Sequence, residues 1–240
     1  MVKLLISASC EEEIDLLYEI DGVDIVDLKD VKIGESLGAP DLDLISYALE
    51  KKPLDKEISV PLGDVSSCVS GLRICAKMLD YLNIDYVKIG LFTSSVEDAI
   101  KLGKLVRDAT SHTKLVLVAY ADYRKFNVID PEKLVEIGRK VDADVVMIDT
   151  KEKKGRSTLS YLSTQELRKF AEDAHAQGLD VAIAGGLTMD DVLYVASRLD
   201  IDIVGVRTCV CESGRDSLLD PEKILALVHA IKNVLPFLYV

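Results

Sequence analysis

Short runs rich in Val, Ile and Leu recur along the chain, each followed by a longer segment with apolar residues at i, i+3 and i+4. The first pattern belongs to strands buried on both faces, the second to amphipathic helices that cover them. The runs are Lys3–Ser7, Asp24–Lys29, Glu57–Leu62, Tyr86–Gly90, Lys114–Tyr120, Asp144–Asp149, Asp180–Ala184 and Asp202–Arg207. The clearest helical segments are Val96–Ala109, Thr164–Gln177 and Pro221–Leu235. Helix starts carry their own chemistry. Thr188 precedes Met189-Asp190-Asp191, and Asp130 and Asp220 each precede Pro and Glu, which supplies a capping oxygen and a proline at the first helical position. Gly178 stands where a helix should stop.

Strand and helix alternating through 240 residues predict an α/β fold, a single (β/α)8 TIM barrel spanning residues 1–240. An open doubly wound sheet would show fewer strands and a glycine-rich turn after the first one. Here that turn is Ser7-Ala8-Ser9-Cys10, without glycine. No linker or low-complexity stretch divides the chain.

In such a barrel the chemistry sits at the carboxyl ends of the strands. Those ends carry Ser7, Asp27, Lys29, Lys88, Tyr120, Asp149 and Arg207, with Asp64, Asp122 and Gly185-Gly186 just beyond. Residues two apart on a strand share a face. Asp27 and Lys29 therefore project with Ile25, away from Val26 and Leu28. By the same parity Asp149 follows Val145 and Met147, and Arg207 follows Ile203 and Gly205. A lysine held in low dielectric among other cations has a depressed pKa, and its neutral amine attacks carbonyls to form an imine. Lys29 and Lys88 are expected to lie close enough to lower each other's pKa, with Asp27 and Asp149 relaying protons. The competing reading is a set of salt bridges that only closes the barrel mouth. The loop from Asp149 to Arg156 is either a solvated run of charges or a lid that brings one lysine over the site. Bare glycine backbone at Gly185, Gly186 and Gly205, beside Arg207, predicts a phosphate cradle at the ends of the last two strands.

Composition narrows the partners. With 49% hydrophobic and 29% charged residues the chain reads as an ordinary globular protein. A formal net charge of −12 argues against nucleic acid or an anionic membrane as partner. An acidic protein with an anionic substrate has to concentrate its positive charge locally. No apolar stretch reaches the roughly 20 residues that span a bilayer. The N-terminus lacks the pattern of a signal peptide, so the cytoplasm is the expected location. The five cysteines are irregularly spaced, as reduced thiols are, and Cys209-Val210-Cys211 is their only close pair. The three histidines show no zinc-ligand spacing, so no metal or other cofactor is expected.

The strand-end blocks, taken in order, resemble a known family. They are Asp24-Ile25-Val26-Asp27-Leu28-Lys29, then Ser36-Leu37-Gly38-Ala39, Gly63-Asp64-Val65 and Tyr86-Val87-Lys88-Ile89-Gly90-Leu91. Ala119-Tyr120-Ala121-Asp122, Met147-Ile148-Asp149-Thr150, Ala182-Ile183-Ala184-Gly185 and Asp202-Ile203-Val204-Gly205-Val206-Arg207 follow. The set is similar to the (5-formylfuran-3-yl)methyl phosphate synthases of methanofuran biosynthesis in methanogenic archaea, and it covers nearly the whole chain. The resemblance implies a TIM barrel lyase that condenses two molecules of glyceraldehyde 3-phosphate into a furan aldehyde phosphate. It further implies Lys29 as the Schiff-base lysine, Asp27 and Asp149 as proton carriers, and Lys88 and Lys153 as acid–base and phosphate-holding groups. Lys151 and Lys154 are rivals for the role of Lys153 within the same loop. The stretch Thr208–Arg215 is less glycine-rich than the family pattern, and the loop after Ala39 is short. Both differences bear on the second phosphate site.

Two other classes stand beside this one. A sugar-phosphate aldolase or decarboxylase of the phosphate-binding barrel group would use an Asp-x-Lys-x-x-Asp arrangement, where this chain has Lys32 at the last position. A non-catalytic phosphosugar-binding barrel would keep the site and lose turnover. The apolar tail Val234–Val240 is expected to form an interface between copies in a homo-oligomer or to cover the barrel's outside.

Overall fold

The computed structural model describes residues 2–32, 36–153 and 155–234. Lys154 and most of the apolar tail expected as an interface lie outside the described residues, as does the last residue of the helix predicted over Pro221–Leu235. The elements in chain order are β1 (Lys3–Ala8), α1 (Glu11–Glu19), β2 (Ile25–Leu28), α2 (Leu42–Lys51), β3 (Glu57–Val65), α3 (Ser70–Tyr81), β4 (Tyr86–Leu91) and α4 (Val96–Arg107). They continue with β5 (Lys114–Tyr120), the single turn α5 (Tyr123–Phe126), α6 (Leu134–Val141), β6 (Val145–Asp149), the single turn α7 (Thr158–Tyr161), α8 (Thr164–His175), β7 (Asp180–Ile183), α9 (Met189–Arg198), β8 (Ile203–Val206) and α10 (Pro221–Val234).

The eight strands form a closed parallel barrel in sequence order, and β1 closes against β8 with Leu5 opposite Gly205. The predicted TIM barrel is therefore the observed fold. Parity separates two apolar layers. Val26, Leu28, Val87, Ile89, Val146 and Ile148 point outward into the layer beneath the helices. Leu5, Ile25, Tyr86, Val116, Val118, Val145, Met147, Ala182 and Ile203 fill the interior. Each fully buried Leu, Ile or Val of this kind contributes about 1.5–3 kcal/mol of transfer free energy. The helices seal that layer and are stopped chemically. Ser163 with Glu166 and Thr188 with Asp191 form reciprocal capping boxes at the starts of α8 and α9. Gly178 leaves α8 with φ +74°. Among the described residues no helix is long and apolar enough to cross a membrane.

Charges mark the two ends of the interior. At the amino-terminal end the Lys3 amine pairs with Glu57 and lies 3.3 Å from the Tyr86 hydroxyl, with the Lys114 amine over the same ring at 5.1 Å. The carboxyl end holds Asp27, Lys29, Lys88, Asp149 and Lys153. Most strands begin or end within a residue of the predicted bounds, and one runs well past its predicted end. β3 runs on to Val65 because it carries a bulge: three steps from Pro61 to Asp64 oppose two from Lys88 to Gly90. Gly63, with φ +101°, takes the backbone through it. The bulge turns Asp64 to the carboxyl mouth.

Candidate active site

Lys29 follows β2 directly, and its backbone N–H still donates to the Ala8 carbonyl at 2.8 Å, so the chain stays strand-like to this point. Its side chain enters the barrel mouth on the same face as Asp27 and is 4% exposed. Among the described residues the Lys29 amine has no ion-pair or hydrogen-bond partner. Burial, then the charges of Lys153 and Arg215, push its pKa well below that of an ordinary lysine, against a smaller opposing pull from Asp149 and Asp27. An amine without a partner and with a depressed pKa is the kind of group that adds to carbonyls.

The other charges arrive in pairs. Asp27 Oδ1 lies 2.5 Å from Lys88 Nζ, both side chains almost fully buried, while its Oδ2 accepts from Ser7 Oγ at 2.9 Å. Ser7 stands opposite Asp27 in the β1–β2 register, which is why that contact is available. Asp149, the last residue of β6, pairs with Lys153 four residues on and accepts from its neighbour's Thr150 N–H at 2.6 Å. Burial raises the Asp149 pKa, but Lys153, Lys29 and the Thr150 N–H overcome it and hold the carboxyl at about 2. Burial lowers the Lys153 pKa, with Asp149 pulling the other way. The cations that press on Lys29 are thus Lys153 and Arg215. Lys88, expected from the sequence to lower it, is tied to Asp27 instead.

The loop after β6 comes down over the mouth and separates two of the rival lysines, Lys151 and Lys153. Lys153 reaches Asp149 in the pocket, whereas Lys151 pairs with Asp64 of β3. Asp64 also accepts from the Tyr120 hydroxyl and from the Ser36 N–H, and Ser36 Oγ donates to the Thr150 carbonyl at 2.9 Å. Gly90 is required beside this cluster, since a Cβ there would meet the Tyr120 hydroxyl and Asp64 Oδ1. Asp122 fixes the loop further by accepting from the N–H groups of Lys151 and Glu152, each at 2.8 Å.

On the opposite rim, Gly185 and Gly186 have φ +95° and +60°. A Cβ on Gly185 would come within 2.5 Å of Thr158 Oγ1 and 2.6 Å of the Thr150 nitrogen. The N–H groups of Gly185, Gly186 and Leu187 have no protein acceptor among the described residues. They line one cavity with Lys29, Lys153 and Gly205. Arg207 borders that cavity too, but its guanidinium is fully committed. Nη1 donates to the Ser7 carbonyl and Glu13 Oε2 at 2.8 and 2.9 Å, and Nη2 to Glu13 Oε1 and Ser9 Oγ, each at 3.1 Å. Nε donates to the Arg215 carbonyl at 2.9 Å. The expectation that Arg207 grips phosphate gives way here: this buried pair with Glu13 leaves it no free donor for an anion.

Sequence reasoning reached Asp27, Lys29, Lys88, Asp149 and Lys153 and the structure brings all five to one cavity. It missed Arg215 and Glu13. Arg215 had one available signal, a basic residue after Gly214 in the loop following the last strand. The Cys209 and Cys211 thiols stand outside the cavity lining, and burial pushes Cys209 up to about 12.

A family model described as 4-HFC-P synthase matches residues 4–228. The chain belongs to the 4-HFC-P synthase family. The (5-formylfuran-3-yl)methyl phosphate synthase of Methanosarcina barkeri is 37% identical over 232 residues, covering 95% of this chain and 98% of that one. Its namesake in Archaeoglobus fulgidus is 32% identical over 216 residues, covering 88% and 91%. The resemblance read from the strand-end blocks holds at the level of family, and membership makes the chain an enzyme of the synthase type. Among solved structures, the phosphoribosyl anthranilate isomerase of Thermotoga maritima superposes with a TM-score of 0.69 at 14% identity, covering 97% of this chain and all of that one. At that identity the likeness is one of fold alone.

Proposed function

We propose that this 4-HFC-P synthase family member condenses two molecules of glyceraldehyde 3-phosphate into (5-formylfuran-3-yl)methyl phosphate, a step of methanofuran biosynthesis, through an imine on Lys29. The balance requires loss of one inorganic phosphate and two waters beyond the new carbon–carbon bond. The observation that carries this reading is the Lys29 amine, buried, without a partner and depressed in pKa by burial, Lys153 and Arg215. Such an amine adds to a triose carbonyl, and loss of water from the adduct gives a protonated imine that withdraws electrons from the adjacent carbon. That carbon then gives up a proton and attacks the second aldehyde. Asp149 with Lys153 and Asp27 with Lys88 are two charge pairs at hydrogen-bond reach, suited to carry protons on either side of the imine. The open N–H groups at Gly185 and Gly186 favour an anionic end of the substrate.

Borohydride reduction in the presence of glyceraldehyde 3-phosphate should add one triose adduct to the intact mass, mapped to the peptide containing Lys29. Lys29→Arg should show none. An unchanged mass in the unaltered chain would sink the imine. Turnover of hexulose or ribulose phosphates without furan product would favour the aldolase or decarboxylase reading.

A further inference from the structure

The charges around the cavity balance except at two positions, Lys29 and Arg215. Asp27 is taken by Lys88, Asp149 by Lys153 and Glu13 by Arg207. Lys29 has a use for its lack of a partner, since a nucleophile must be free. Arg215 has none of these explanations. It lines the same cavity as Gly185 and Gly186, and among the described residues it makes no ion pair. Its Nη2 is buried from solvent and has no hydrogen-bond partner. A buried guanidinium donor left unsatisfied is costly, and in a chain with 41 acidic residues a carboxylate partner would be easy to supply.

We propose that Arg215 is the cation that receives the phosphoryl group of the substrate, in the cavity it shares with the open N–H groups of Gly185 and Gly186. The inference rests on the reading of the cavity as a triose-phosphate site and assigns that site its anion-binding side chain. A guanidinium presents two parallel donors to a phosphate, which a lysine amine does not. Arg207 contributes at one remove. Paired with Glu13, it donates through Nε to the Arg215 carbonyl and through Nη2 to the Ser217 carbonyl at 3.2 Å, and so holds the loop that carries Arg215. Glu13 adds a bond from the Leu219 N–H at 3.2 Å on the far side of the same loop. The two arginines thus divide the work: one holds the loop and the other meets the ligand.

The test is calorimetric titration of the full chain with inorganic phosphate, comparing the unaltered protein with Arg215→Ala, Arg215→Lys and Arg139→Ala, the last a change on an exposed face of α6. Loss of a charge-assisted pair of bonds is expected to weaken binding about tenfold or more in Arg215→Ala. Arg215→Lys should bind a few-fold more weakly, and Arg139→Ala as the unaltered chain does. Absence of saturable phosphate binding in the unaltered chain would overturn the proposal, as would an Arg215→Ala affinity within twofold of it or an equal loss in Arg139→Ala. Where thermal melting shows Arg215→Ala to be unfolded, Arg215→Lys decides, and unchanged affinity there overturns the assignment. Borohydride capture of unphosphorylated glyceraldehyde on Lys29 in the unaltered chain reads the imine separately. Its failure would remove the proposed reaction and leave the phosphate result standing.

Discussion

Asp27 and Lys88 lie 2.5 Å apart inside the barrel, reaching across β3 from β2 and β4, with side chains 1% and 2% exposed. A pair this deep gains little net stability from its own attraction, but removing one member strands the other. Asp27→Asn is therefore expected to cost about 3–5 kcal/mol in urea unfolding. Adding Lys88→Met to it should return a large part of that loss while leaving no furan product. A single variant as stable as the unaltered chain would show that the pair is solvated in solution.

Lys29 makes the opposite contribution. Its folded pKa is depressed, so below the unfolded pKa of about 10.4 the unfolded chain binds the extra proton and the folded state is penalised. Lys29→Met is accordingly expected to be more stable than the unaltered chain at neutral pH. The advantage should shrink as pH rises toward about 10.4, where the unfolded lysine also loses its proton. Denaturant titrations at several pH values read the sign directly, and a destabilised Lys29→Met would contradict the penalty.

Asp149 is held at about 2 where an unfolded aspartate titrates near 3.8. A depressed carboxylate stabilises above its unfolded pKa and loses that contribution as pH falls through the folded value. The difference corresponds to about 2 kcal/mol. Asp149→Asn should cost about that much at pH 7, with the gap to the unaltered chain closing between about pH 4 and pH 2. A gap that stays constant over this window would mean that Asp149 acts through packing, not charge.

Gly185 has neither the backbone freedom nor the space for a side chain, since a Cβ would sit 2.5 Å from Thr158 Oγ1 with φ at +95°. Gly185→Ala is expected to destabilise by about 1–3 kcal/mol and to weaken inorganic phosphate binding together with it. Thermal melting with and without phosphate separates the two effects. Full phosphate-dependent stabilisation in the variant would clear this turn of any part in the ligand site.

The barrel and most of its mouth are legible in the sequence because a strand has a period. Once Asp24–Lys29 is read as extended, Asp27 and Lys29 must share the face of Ile25, and the structure puts all three there. The same reasoning places Asp149 beyond Val145 and Met147. Loops have no such period. Lys151 and Lys153 differ by two positions in one loop, and only the fold decides that the first goes to Asp64 and the second to Asp149. Glu13 is hidden differently. It follows Glu11 and Glu12 in the first turn of α1, where acidic residues are favoured by the helix dipole whatever else they do. Nothing local distinguishes the carboxylate that holds Arg207 from its two exposed neighbours, and 194 residues separate the partners. The mistaken pairing of Lys29 with Lys88 has a similar origin: parity gives the face on which a side chain emerges but not the neighbour it takes.

At the other end of the barrel, the contact of Lys3 with Glu57 beneath the Tyr86 ring has a practical bearing. It lies at the other end of the strands from Lys29, is partly open to screening solvent, and does not figure among the charges that press on the Lys29 amine. The floor of the molecule is therefore a place where heat tolerance is open to adjustment by residue replacement with the throat left as it is, and an engineer seeking a hardier catalyst would begin there.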